Sequence, residues 1–383
     1  MLLANAFLPD PRVLKEARSL ARRGARITIL AWDRENRYAD REHISGLDIE
    51  RIHLRSGFNR RMAQLPTIML LWCRMIARGR KHRFDIIHCH DLDTLFPAIV
   101  LRLIARVPLI YDAHENYARV KSASLPALFV RLLDYAERRL IRFVDVIITA
   151  STVVGDEFRR VRRRPVITLG NYWSLDRRLE MTDEERAAGR RDLGIWPDDL
   201  LLGYIGGLKR SRKIEPLLKA IQGETGVSVL ICGAGEQQGL VERAATDHAH
   251  VSYLGWIPLE EVSRYTALCD VIYYGLDNYP GAPYNSPNSL FMAMLQGRAV
   301  LVSDIGDLGR IVQEESCGLL LQETSEEEIR KALGQLRDRP FLRRLQENAY
   351  LAARRRYHWE KAEKILWNAY RHLLKRAAER TDG

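Results

Sequence analysis

The sequence predicts an α/β protein made of two doubly wound, Rossmann-like domains. Short β-rich runs alternate with helical segments from Leu2 to Leu169, and a second alternation of the same kind begins at Leu200. The length of 383 residues supplies core for about two ordinary domains.

Leu2 to Ala6 reads as the first strand, and Pro9-Asp10-Pro11 leads into a helix with apolar residues at Val13, Leu14, Ala17, Leu20 and Ala21, closed by Gly24. Because that strand begins almost at Met1, a start upstream is expected. Ile27 to Trp32, Asp48 to His53, Phe84 to His90, Leu109 to Asp112, Val144 to Thr149 and Val166 to Leu169 read as further strands with helices between them. The first domain is therefore placed at residues 1–172. Residues 173–199, rich in Arg, Asp and Glu and closing on Trp196-Pro197-Asp198, read as a connector with some helix.

The second domain, residues 200–356, has strands at Leu201 to Ile205, Val227 to Cys232, Val251 to Tyr253, Val271 to Tyr274 and Val300 to Val302. Between its last two strands Pro280, Gly281 and Pro283 forbid regular structure. Ser286-Pro287 then sets a capping side chain before a proline suited to a first helical turn, and Gly297 ends that helix. A helix N-terminus at the carboxyl edge of a parallel sheet attracts phosphate. Residues 357–383 form a last helix. From His358 to Arg376 it carries Trp359, Ala362, Ile365, Leu366, Ala369, Tyr370, Leu373 and Leu374 in one apolar stripe.

The net charge of +11 is uneven: residues 1–170 hold 31 Lys and Arg against 18 Asp and Glu, and the remainder is nearly balanced. Zinc-finger spacing, an aromatic-rich RNA-binding signature and internal repeats are all missing from the sequence, so nucleic acid is not expected as a partner. Anionic membrane or a phosphorylated acceptor suits the basic half, although solvated Arg on helix faces would give the same composition. Two stretches there are both basic and amphipathic. Met62 to Lys81 sets Leu65, Met69, Leu70, Trp72, Cys73 and Met75 among Arg74, Arg78, Arg80 and Lys81, and Leu125 to Phe143 sets Leu128, Phe129, Leu132, Leu133, Tyr135, Leu140 and Phe143 among its charges. They fit an interfacial contact or ordinary core-facing helices equally well. The five cysteines lack paired spacing and no apolar run is long enough to span a bilayer. A cytoplasmic protein follows, with peripheral contact on the inner face of the membrane left open.

Polar groups gather at strand ends. Gly206-Gly207-Leu208-Lys209-Arg210-Ser211-Arg212-Lys213 lies between a strand and a helix, so close backbone approach and four cations coincide, as a diphosphate cradle requires. Gly233-Ala234-Gly235-Glu236 lacks the third glycine of a dinucleotide fingerprint and reads as a tight turn, with lining of a base or ribose pocket as the lesser reading. His90-Asp91 and His114-Glu115 end adjacent strands and converge on one edge. Arg12 and Lys15 open the first helix toward that edge, where a phosphate could lie, unless Arg12 pairs with Asp10 or Glu16 on the surface. His88 is read as structural, on the opposite face from His90, and no metal is expected.

Taken with their order along the chain, DPRVLKEARSLARRG, DIIHCHDLDTL, LIYDAHEN, LGYIGGLKRSRKIEPLLKAI, YNSPNSLFMAMLQGRAVLVSDIG and HWEKAEKILWNAYRHLL resemble the family 4 glycosyltransferases over nearly the whole length. The resemblance implies the GT-B fold, two Rossmann-like domains facing across a cleft with the last helix returning to the first. It implies a retaining transfer of sugar from a nucleotide-diphosphate donor to a glycan or lipid-linked acceptor, with no other cofactor. By position in the motifs, it assigns Arg210 and Arg212 to the donor diphosphate and His114 to a place beside the transferred sugar. Gly206, Gly207, Lys209, Gly233, Gly235, Ser286, Pro287, Asn288 and Ser289 fall on the donor side. Arg12, Lys15, His90, Asp91 and Glu115 fall on the acceptor or phosphate side. The sequence departs from the family motif where Lys and Glu are usual, at Ser289 and Met292. That Glu binds the donor ribose in the family, so the departure raises an alternative, a binding or regulatory paralogue that has lost transfer. A GT-B sugar-nucleotide epimerase is a third reading, disfavoured by the order of the motifs.

Overall fold

The computed structural model describes residues 1–8, 10–56, 65–114, 126–161, 165–285 and 288–381. The chain forms two compact units, Met1–Gly170 with Ala362–Gly383, and Asn171–Lys361.

The first unit holds one sheet of eight strands: β1 (Leu2–Leu3), β2 (Thr28–Asp33), β3 (Arg41–Ile44), β4 (Leu47–His53), β5 (Ile87–His90), β6 (Leu109–Ala113), β7 (Val146–Thr149) and β8 (Val166–Thr168). Their order is β3-β4-β2-β1-β5-β6-β7-β8, and every pairing is parallel except β3 with β4. Chain order reverses between β1 and β5, which makes the carboxyl ends of those two strands the topological switch point where open α/β sheets take ligands. β3 is absent from the sequence reading. Its run Arg-Glu-His-Ile is polar on an edge, and the signal for it is the two-residue turn Ser45-Gly46, whose φ values of 55° and 79° suit a tight hairpin.

The second unit holds six parallel strands: β9 (Leu200–Ile205), β10 (Val227–Cys232), β11 (Val251–Tyr253), β12 (Val271–Tyr274), β13 (Ala299–Ser303) and β14 (Gly318–Leu321). The order β11-β10-β9-β12-β13-β14 repeats the doubly wound pattern, with its switch point between β9 and β12. Strand β14 also went unread. Residues 173–199 contribute the helix Asp183–Asp192, opened by a capping box at Thr182 and Glu185. Arg190 ties that helix into the second unit: it ion-pairs with Asp270 at 3.0 Å and donates to the carbonyls of Leu268, Pro197 and Asp199.

The last helix, Trp359–Thr381, starts in the second unit and packs its later residues in the first. Ala362, Leu366, Ala369, Tyr370 and Leu373 are buried, while Ile365 and Leu374 at the margins of the expected stripe face solvent. Glu363 pairs with Arg22 and Arg23 at 3.3 and 3.0 Å. Cys89, Cys232, Cys269 and Cys317 are buried and Cys73 is exposed. Among the described residues no helix is long and apolar enough to cross a membrane.

Candidate active site

At the first switch point the structure builds a polar cluster from four elements. Arg12, one residue into the helix that follows β1, is buried rather than turned to a ligand. Its Nε and Nη2 grip the two carboxylate oxygens of Asp112 at 3.1 and 2.9 Å, its Nη1 donates to the carbonyl of Leu169 at 2.8 Å, and Glu16 lies 3.3 Å from Nε. The sequence placed Arg12 near phosphate or on the surface with Asp10 or Glu16. Its main partner, Asp112, lies a hundred positions away and was not foreseen. Burial would raise the Asp112 carboxyl, but Arg12 and His114 more than reverse this and hold it well below the usual range. Glu16, wholly buried, has both oxygens without a hydrogen bond, and desolvation first, then Asp112, pushes it well above the usual range. Two carboxyl groups thus face one guanidinium and are driven apart, Asp112 downward by Arg12 and His114 and Glu16 upward by burial and by Asp112. Lys15 is half-buried, and burial followed by the Arg12 charge pushes it down to about 8.

His88 and His90 do not face opposite ways. Residues two apart on a strand share a face, and these two rings stack at 4.3 Å. His88 Nδ1 meets the Tyr370 hydroxyl at 2.8 Å, and His90 Nδ1 lies 3.2 Å from His114 Nε2. Burial drives both His88 and His90 below the ordinary imidazole value. Among the described residues Glu16, His88, His90 and Asp112 bring potential ligand atoms within 4.8 Å of one another. Arg12, 2.9 Å from Asp112 and 3.3 Å from Glu16, already places a cation of the protein's own beside that cluster.

His114 is the member that reaches the surface, its side chain 21% exposed. Its ring lies between two carboxylates: Nδ1 is 3.3 Å from Asp91 and Nε2 is 3.5 Å from Asp112. Burial alone would lower it, yet Asp91 and then Asp112 raise it to about 9. At neutral pH the ring is an imidazolium. Glu115 lies outside the described residues.

At the second switch point the loop after β9 and the loop after β10 close on each other. Gly206 N–H donates to the Cys232 carbonyl and Leu208 N–H to that of Ala234, each at 2.9 Å. Gly233 has φ 150°, and a Cβ there would sit 1.9 Å from the Gly206 carbonyl oxygen, so only glycine fits. Gly233 and Gly235 therefore hold the β9 loop in shape. Lys209 and Arg210 are exposed, and the Arg210 amide is fixed by Glu236 at 2.9 Å. Arg212 lies over the Tyr274 ring at 4.3 Å, and its Nη1 is buried without a hydrogen-bond partner. Lys213 pairs with Asp277 at 2.7 Å. A cavity of about 410 Å³ opens here, lined by Arg210, Arg212, Lys213, Gln237, Asp277 and Glu326. A larger hollow of about 730 Å³ in the first unit includes Met1, Thr28, Phe84 and Ile87 at the amino ends of the strands, away from the end where such sheets take ligands.

The helix after the Pro-rich loop runs Asn288–Leu295, and Gly297 follows it at φ 63° in the left-handed conformation that ends helices. Asn288 is exposed, Ser289 is half-buried, and Ser286 and Pro287 lie outside the described residues. Met292 is buried in the core of the unit, its sulfur 3.6 Å from Ser263 Oγ and 3.4 Å from Gln296 Nε2.

Family models match both units: a glycosyl transferase 4-like domain over residues 9–171 and a glycosyl transferases group 1 domain over residues 199–339. The chain belongs to the family 4-like glycosyltransferases. An uncharacterized glycosyltransferase of Methanocaldococcus jannaschii is 24% identical over 303 residues, which are 76% of this chain and 75% of that protein. The fold is GT-B. Sucrose-phosphate synthase from Thermosynechococcus elongatus superposes with a TM-score of 0.79 at 18% identity, covering 98% of each chain. Anabaena HepE in complex with UDP-glucose gives 0.72 at 17% identity, covering 97% of this chain and 98% of that one. The family 4-like glycosyltransferase is an enzyme, and the paralogue without transfer gains no support from these relatives.

Proposed function

We propose that this glycosyltransferase takes a sugar from a nucleoside-diphosphate donor held by the second unit and places it, with retention, on a hydroxyl of a glycan or lipid-linked acceptor. The observation that carries the reading is Arg212, whose buried Nη1 lacks a partner beside a cationic loop at the switch point of the second sheet. A buried guanidinium donor left unsatisfied is costly, and a phosphate oxygen would satisfy it. The UDP-glucose of the HepE complex supports a donor of that class.

In the transfer, the bond from the anomeric carbon to the diphosphate breaks with its electron pair going to the phosphate oxygen. The acceptor oxygen bonds to that carbon, and its proton leaves with the diphosphate. Arg212 and Arg210 neutralise charge on the leaving group as it forms, which is where preorganised cations lower a barrier most. The resemblance puts His114 beside the transferred sugar and the diphosphate. Neither a metal nor a further cofactor is invoked.

The acceptor reading is supported by the surface of the first unit. Met69 and Leu70 on Leu65–Gly79, Phe96, Leu103 and Ile104 on Leu92–Ala105, and Leu128, Leu132 and Tyr135 on Ala127–Leu140 are exposed. Arg102, Arg131, Arg138, Arg139 and Arg142 lie on the same helices or just beyond them. So much exposed apolar surface among cations suits the interface of an anionic membrane, where a lipid-linked acceptor resides.

Thermal shift with UDP, GDP, ADP and their sugars tests the donor. A ligand at a hundred times its dissociation constant adds about 2.7 kcal/mol. Radiolabelled transfer to extracted lipids, and sedimentation with anionic against neutral vesicles, test the acceptor and the surface. No shift with any nucleotide would sink the donor assignment.

A further inference from the structure

Asp91 stands at the N-cap of the Leu92–Ala105 helix and does not cap it. Its backbone has φ 61° and ψ 164°, a region open to glycine and strained for any other residue, and its side chain makes no capping hydrogen bond. The same residue type at the same position of the neighbouring helix behaves as expected: Asp10 accepts from the Val13 amide at 3.1 Å. Asp91 gives both carboxylate oxygens to one residue instead. Oδ1 accepts from the His114 backbone N–H at 3.2 Å, and Oδ2 faces the ring Nδ1 at 3.3 Å.

Strain combined with a forfeited cap persists only when the surroundings over-determine it, and here what it secures is His114. We propose that Asp91 is a positioning residue, bent out of an ordinary helix cap so that its carboxylate fixes the ring and backbone of His114. This rests on the reading that His114 belongs to the transfer site. The Asp91 amide donates to the Asp112 carbonyl at 2.9 Å, so the strained residue is also pinned to the strand that leads to His114.

Among the described residues the other charged and titratable groups around the pair are Asp112, His90, Arg12, Glu16 and Asp93, with Cys89, Tyr111 and Glu137 buried nearby. Asp112 is shared among Arg12, His90 and His114, whereas among the described residues the contacts of the Asp91 carboxylate are with His114. Removing the Asp91 charge therefore takes away the anion the ring does not share. With Asp91 in place, His114 is a fixed cation and not a proton shuttle near neutral pH.

The test uses the full chain as wild type, Asp91→Asn, Asp91→Ala and Asp91→Gly, with isotope-labelled histidine. NMR titration of the His114 ring should show its midpoint falling by at least one pH unit in all three variants. Thermal denaturation should rank Asp91→Gly above Asp91→Ala, because only glycine relaxes the backbone, while transfer falls at least tenfold in both. Activity would then follow the carboxylate and stability the backbone, a split that a merely structural role would not give. An unchanged His114 midpoint in Asp91→Asn, or wild-type transfer in Asp91→Gly, overturns the proposal. Absence of transfer in the wild type would instead count against the functional reading, and the NMR midpoints would still judge Asp91.

Discussion

Arg212 lays its guanidinium over the ring of Tyr274, 4.3 Å from the centroid, and keeps Nη1 buried without a partner. The stack fixes the plane of the fork in advance, so little rotamer entropy remains to be lost when an anion arrives. Arg212→Ala should weaken binding of the nucleoside diphosphate roughly ten- to hundred-fold, the worth of a charge-assisted hydrogen bond of about 1.5 to 3 kcal/mol. Arg212→Lys should recover only part of this, because lysine keeps the charge and loses the planar fork. Calorimetric titration with the diphosphate decides it, and wild-type affinity in Arg212→Ala would remove the loop from the donor site.

His114 gives the fold a pH dependence of known sign. Its value is raised from 6.5 to about 9, so the folded state binds the extra proton, and the resulting stability is complete below about 6.5 and lost as pH rises through 9. The full effect is on the order of 3 kcal/mol. Lys15, lowered to about 8, works in the opposite sense above that pH, which makes a difference measurement necessary. Between pH 6.5 and 9.5 the gap in urea-unfolding free energy between wild type and His114→Asn should shrink. A constant gap would mean that the ring is not held as a cation.

Gly233 and Gly334 should respond to alanine with opposite signs. At Gly233 the new methyl would meet the Gly206 carbonyl oxygen and φ is 150°, so a loss of more than about 3 kcal/mol and a disordered donor loop are expected. Gly334, inside the Glu326–Leu336 helix, has nothing within 4 Å of that methyl, and alanine should add about 0.5 to 1 kcal/mol there. Denaturant midpoints for the two variants check both.

The sequence alternation located twelve strands to within a few residues, since apolar runs bounded by glycine and proline report local preference directly. What it could not reach was contact between distant positions. The Arg12–Asp112 pair spans a hundred residues, and a helix-start arginine looks the same in sequence whether it is buried or exposed. The error at His88 was one of period: alternation was applied to residues two apart, which share a face. For β3 the register came from a Ser-Gly turn joined to polar residues, so hydrophobic pattern gave no sign of it. The cationic loop after β9 was legible as a loop because glycines, cations and strand end fall together in one short window, whereas the Tyr274 ring that stacks on Arg212 comes from another strand.

Met292 offers a test of the departure from the family motif. Its side chain is buried, so Met292→Glu places a carboxyl in the core with Ser263 and Gln296 as its available donors. Destabilisation of about 1 to 3 kcal/mol is expected, against less than about 1.5 for Met292→Leu. Transfer should be measurable in the natural chain before any such change. Activity that appears only in Met292→Glu would revive the reading of a paralogue that had lost catalysis.

The stretch from Ala362 onward packs with Met1–Gly170, and Tyr370 closes the far end of the histidine stack. The earlier portion of that body leaves the ribosome roughly ten to forty seconds ahead of its closing piece, at ordinary rates of elongation. During this interval the binding partner of His88 has yet to be synthesised, while Asn171–Lys361 emerges as an uninterrupted segment. Biogenesis should accordingly run backward relative to the genetic order, the half encoded second maturing before the half encoded first.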